Sequence, residues 1–230
     1  MHKKVLMGST ALAALGLLAV PASAQDGKIS LSVGGYYQNF VSYVDQDEPA
    51  GVEFTEVNVR HEGEIIFSGE TTLDNGLTVG FQAQLEAITQ GDQMDETFMY
   101  FEGGWGRLLL GSENSAPYLM TYAAPSAGLG INSPNFYLFS PVGSAPTAGF
   151  LNLASDANKV TYFTPRFGGF QLGVSYTPNI DSRGGNRQWF GLNTDNDEGD
   201  LSGVISLGAN FVQSFNGIDV ALSAGYEHGQ

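Results

Sequence analysis

The chain of 230 residues contains no cysteine. That removes a disulfide framework and any thiolate metal site. A chain exported into an oxidising compartment then carries nothing to mispair. Charge is scarce: Asp, Glu, Lys and Arg together make up 14% of the sequence, against ~25% in ordinary soluble domains. Basic residues are the scarcer kind, with 9 Lys and Arg against 24 Asp and Glu and a formal net charge of -15. Nucleic acid needs a basic footprint, so it is excluded as a partner. Beyond the first 24 residues the only histidines are His61 and His228. They give no metal-spaced pair and no Ser-His-Asp grouping, which argues against an enzyme and calls for no cofactor. Also absent beyond residue 24 is any long uncharged apolar stretch, so crossing a bilayer by helices is closed. A secreted β-protein or a membrane barrel remains.

The one apolar run lies at the start. Lys3 and Lys4 precede Val5–Val20, which is interrupted by Gly8, Ser9, Thr10 and Gly16. Pro21 breaks the run, and Ala22-Ser23-Ala24 has the small-x-small form of a signal peptidase site. Residues 1–24 are therefore read as a cleaved signal peptide, with the mature chain beginning at Gln25. The alternative is a retained anchor, but the run is short and interrupted for a span of about 20 residues.

What fills the rest is a period of two. From Leu77 to Ala87, Leu77, Val79, Phe81, Ala83, Leu85 and Ala87 alternate with Thr78, Gly80, Gln82, Gln84 and Glu86. That is a strand with one greasy and one wet face, of the length that a tilted transmembrane strand needs, ~9–11 residues. The alternation recurs from Ile29, from Val57, from Phe170, from Ile205 and from Ile218, and more weakly over 95–103, 106–112 and 158–165. About nine strands result. Their connections alternate as well. Asp74-Asn75-Gly76, Gly103–Gly106, Phe167-Gly168-Gly169 and Phe215-Asn216-Gly217 are tight hairpin turns. Segments 45–53, 90–95, 113–157 and 179–199 are long and polar. One turn end and one loop end is what a barrel requires. Tyr36, Tyr37, Phe40, Tyr43, Tyr100, Trp105 and Tyr176 fall near strand ends, where a girdle of interfacial aromatics would lie. The fold class is all-β, a transmembrane antiparallel β-barrel.

Three stretches resemble the general Gram-negative porins, the alphaproteobacterial branch in particular. They are Phe67–Gly80, Tyr100–Gly111 and, most closely, Asn158–Tyr176, and the resemblance extends over 25–230. It implies a single sixteen-stranded barrel domain, of which about nine strands are present. It also implies a homotrimer in the outer membrane of a Gram-negative bacterium, among lipids and lipopolysaccharide, passing small hydrophilic solutes and ions by passive diffusion. The third loop, about 113–157, would fold inward as the constriction. Two departures stand out. The chain ends at Tyr226-Glu227-His228-Gly229-Gln230 without the remaining strands, so a longer protein is expected. The acidic tip of that loop in many such porins is matched only by Pro134-Asn135-Phe136, within an apolar, aromatic segment that includes Tyr137, Leu138, Phe139 and Phe150.

Parity then nominates the residues that line the pore. Arg60 and Arg107 share the polar parity of their strands, and an arginine facing lipid at mid-depth costs ~2–4 kcal/mol. Arg107 would face the acids of the long loop, Glu113 or Asp156. The alternative is that either arginine sits near an interface and binds lipopolysaccharide phosphate. Glu62, Glu64, Gln82, Gln84 and Glu86 fall on the same face, and acidic rings favour cations, so a weak cation preference is expected. Asp195, Asp197 and Asp200 form an oxygen-rich loop that invites calcium, although its spacing is not that of an EF-hand and a charge run is usually just solvated. The rivals to a porin are a secreted or surface adhesive β-protein and an outer-membrane hydrolase.

Overall fold

The computed structural model describes residues 22–23, 29–43, 51, 53, 55–88, 93–122, 151–181 and 201–230. The strands are β1 (Ala22–Ser23), β2 (Ser30–Tyr43), β3 (Val57–Thr72), β4 (Thr78–Glu86) and β5 (Met94–Gly103), then β6 (Gly106–Ser112), β7 (Asn158–Phe163), β8 (Phe170–Asn179), β9 (Ser202–Phe215) and β10 (Ile218–His228). A short helix, α1 (Ala116–Met120), follows β6. All ten strands form one antiparallel sheet in strict chain order. Nine are the strands expected from the alternation; β1 adds two residues to the edge of β2, pairing Ala22 with Leu31 and Ser23 with Ser30. Among the described residues β10 pairs only with β9, so the sheet is not closed. No described helix is long and apolar enough to cross a membrane.

The alternation sorts side chains to two faces with inverted burial. Val33, Val59, Phe67, Phe81, Met99, Leu110, Leu172, Leu207 and Leu222 are exposed on one face. Thr161, Ser175, Thr177 and Ser206 on the other are buried to within 1% of completely. A soluble β-sandwich buries its apolar face against a second sheet; here the covered face is the polar one. The structure thus has the all-β, single-sheet form of a partial barrel, with its greasy face turned outward.

The tight connections join β3 to β4, β5 to β6, β7 to β8 and β9 to β10, and the long ones fall between. Local chemistry explains the turns. Gly168 and Gly169, at φ 56 and 89, lie between Phe167 and Phe170, which exchange both backbone hydrogen bonds. Asn216 and Gly217, at φ 50 and 85, do the same work between β9 and β10. Both pairs place two residues at positive φ, as a type I′ hairpin requires. The strand expected to run to residue 165 stops at Phe163, where Pro165 has no N–H to give the ladder.

Two of the aromatics expected in a girdle point the other way. Tyr36 donates to Glu64 Oε1 at 3.0 Å and Tyr100 to Glu70 Oε2 at 2.6 Å, both on the polar face. Even parity puts a phenol beside the acids of the neighbouring strand. Tyr37, Tyr43, Trp105 and Tyr176 are exposed with the apolar face, and Tyr37 stacks on His61 with ring centroids 6.0 Å apart.

Candidate functional site

The described ends of the long third connection lie on the polar face. Gly173, Gly208 and Gly225 stand side by side across β8, β9 and β10. Without side chains they leave a trough in the wall, and α1 lies in it. A Cβ on Gly208 would meet Met120 Sδ at 2.9 Å and Ala116 O and Pro117 Cα at 3.0 Å; one on Gly225 would meet Pro117 Cβ at 2.6 Å. The helix is pinned by polar contacts: the Ala116 N–H donates to Ser175 Oγ at 2.8 Å, and Asn210 Nδ2 to Met120 O at 3.2 Å. Glu227 of β10 fastens both legs of the connection. Its Oε1 accepts from Ser115 Oγ at 2.7 Å and Ser206 Oγ at 2.9 Å, and its Oε2 from the Leu153 N–H at 2.8 Å. The described legs, 113–122 and 151–157, thus lie against the wall rather than away from it. Pro134, Asn135, Phe136, Tyr137, Leu138, Phe139 and Phe150 are outside the described residues.

Between α1 and the sheet lies a cavity of about 700 Å³. Its loop end is built from acids. Glu96 on β5 is buried; Asn114 Nδ2 donates to its Oε1 at 2.7 Å and Gln84 Nε2 to its Oε2. Asn114 joins it to Glu113: its Nδ2 serves Glu96, and its backbone N–H serves Glu113 Oε1. Burial pushes the Glu113 carboxyl above the ordinary carboxylate range; the Asn114 N–H, donating to its Oε1 at 2.7 Å, works against this. Burial likewise raises the Tyr118 phenol, helped by the negative charges around it. The cation here is Lys159, 4% exposed, whose Nζ donates to the Glu113, Ser155 and Ala157 carbonyls. Asp156 is buried beside it and accepts from Ser155 Oγ at 3.0 Å.

Gln84, Glu113 and Asp156 are therefore brought together at the foot of the loop, and Gln82 lines the same cavity. Glu64 and Glu86 face each other in register across β3 and β4. Arg60 and Glu62 lie on β3 opposite Phe40 and Gln38; their side chains are outside the described residues. Arg107 departs from expectation. It does not meet Glu113 or Asp156 but pairs with Glu102, Nη1 to Oε2 3.7 Å, with its guanidinium 4.3 Å over the Tyr100 ring. Arg107 is the second residue of β6, at the tight-turn end and in register with Glu102, and at ~3.3 Å per residue the loop is about 20 Å further along the strand. Asp195, Asp197 and Asp200 fall outside the described residues; among those described, no cluster has metal-binding composition.

Four residues of the site were not legible as such: Glu96, Lys159, Glu227 and Arg166, which lines the cavity at its tight-turn end. Glu96 carried a signal, since it shares the even parity of Phe98, Tyr100 and Glu102 in a weakly alternating strand. Glu227 likewise alternates with Tyr226, but its partners in the long connection are 112 and 74 residues away in sequence.

Comparison with known proteins gives a consistent result. An uncharacterized protein of Rickettsia conorii is 38% identical over 85 residues, which is 37% of this chain and 18% of that protein. The matched stretch thus spans under a fifth of the relative's length. The family model of Gram-negative porins matches residues 9–230, essentially the whole sequence. With its exposed apolar face and the described legs of the third connection laid on the polar wall, the chain belongs to the Gram-negative porin family.

Proposed function

We propose that the protein forms a water-filled channel in the outer membrane for the passive diffusion of small hydrophilic solutes and ions, with a weak preference for cations and no enzymatic activity. The observation that carries this reading is the inverted burial: apolar residues exposed on one face, hydroxyls and amides covered on the other. Such a sheet is stable where lipid meets the first face and water and a loop meet the second. In this reading residues 1–24 are a removed signal peptide and the protein works as a homotrimer among outer-membrane lipids. The connection 113–157 narrows the lumen, and Arg60, Glu62, Glu64, Gln82, Gln84, Glu86, Arg107, Glu113 and Asp156 line it. Lys159 is tied to loop carbonyls and Arg107 is paired, while Glu64 and Glu86 share the wall; this balance supports the cation preference.

The test uses the protein purified from outer membranes and placed in liposomes. Swelling rates in neutral sugars should fall steeply with sugar size. In a planar bilayer across a potassium chloride gradient, the dilute side should become slightly positive. Liposomes that do not swell contradict the channel; a negative dilute side contradicts the cation preference alone.

A further inference from the structure

The opposite end of the cavity from the acid cluster holds a differently arranged charge. Arg166 lies in the β7–β8 connection and lines the cavity. Its Nη1 donates to Gly169 O at 2.6 Å, and its Nη2 to Gln171 Oε1 at 2.9 Å and Asn210 Oδ1 at 2.8 Å. All three acceptors are neutral, so the guanidinium is held in place without being neutralised. The two amides cannot turn away. Gln171 Nε2 is tied to Thr164 O at 3.0 Å, and Asn210 Nδ2 to Met120 O at the end of α1. Arg107, the other guanidinium among the described residues that line the cavity, is occupied by Glu102 and Tyr100. Arg166 is exposed and the oxygens around it leave N–H donors over.

We propose that the turn end of this cavity is a binding subsite for small carboxylate-bearing solutes, with Arg166 as the charge that holds them. A fixed cation in a wall of low charge density attracts an anion without first having to be oriented, which is where the gain in affinity arises. A carboxylate suits it because charge-assisted guanidinium–carboxylate hydrogen bonds are about twice as strong as neutral ones. The channel would then prefer cations in bulk flow and yet slow for carboxylates at one internal station. The inference rests on the channel reading.

The experiment is single-channel recording of the protein from outer membranes in potassium chloride, with succinate added at equal ionic strength to either side. Wild-type channels should show a saturable fall in current with succinate. R166Q should need about tenfold more succinate for the same fall, the loss expected for one charge-assisted contact, while R166K should retain most of the effect. A guanidinium that only staples the turn predicts a lower melting temperature for R166Q and an unchanged succinate response, which overturns the subsite. So does a wild-type current that succinate lowers no more than chloride. Absence of channels altogether overturns the channel reading and the subsite with it.

Discussion

Glu113 is the residue whose chemistry most directly ties the loop to the wall. Its carboxyl is buried, is bridged to Glu96 by Asn114, and is held above its ordinary range by desolvation. The sign of the consequence follows from linkage. Below the ordinary carboxylate range the group is protonated in both folded and unfolded chains, and its contribution is fully present. As pH rises, the unfolded chain ionises first, and stability is lost on the way through the raised folded value. The loop foot should therefore loosen with rising pH, and E113Q should flatten that dependence; urea midpoints in detergent at pH 4 and pH 8, wild type against variant, measure it. Equal slopes for the two proteins would contradict this role. Glu227 makes a simpler case. E227A removes the acceptor of Ser115, Ser206 and the Leu153 N–H, and should cost about 1–3 kcal/mol, read as a lower thermal midpoint together with noisier open-channel current. The importance of these acids is hard to read from sequence because parity gives a side chain its face and not its partner. Arg107 shows the limit: its face was legible, but its partner is set by the Gly103–Gly106 register, which brings Glu102 opposite.

At the scale of the element, α1 is a helix of five residues, too short to be stable from its own hydrogen bonds. It exists because the glycine trough of β8, β9 and β10 receives it. G208V should displace it, since the added Cβ meets loop backbone, Ala116 O and Pro117 Cα, as well as Met120 Sδ. The helix then moves off the wall into the space that solutes would cross. A lower single-channel conductance with unchanged strand content by circular dichroism is the expected result; unchanged conductance would contradict the trough as its seat. The strands were legible in number and place more than in their bounds, since β9 runs Ser202–Phe215 where the alternation was read from Ile205. Thr78–Glu86 lies within the alternating Leu77–Ala87, and Asn216-Gly217 marks its own turn. A period of two survives in sequence because each face meets one environment along its whole length. The trough was not legible: Gly173, Gly208 and Gly225 read as ordinary members of the wet face until the register placed them side by side.

For the whole molecule, the decisive property is which face meets water. The sheet exposes Val33, Phe67, Phe81, Leu110, Leu172 and Leu207 on one face and covers Thr161, Ser175, Thr177 and Ser206 on the other, where Phe98, Leu109 and Val204 are buried with them, and family membership agrees with that orientation. On the proposed channel reading, the net charge of -15 would act on ions that approach the pore. The most direct test of this account is conductance of the protein, purified from outer membranes in detergent, across a planar lipid bilayer. The account predicts stepwise, near-ohmic current increments of uniform size that persist without any added ligand. A protein that stays in solution when detergent is removed and leaves the bilayer silent would contradict it.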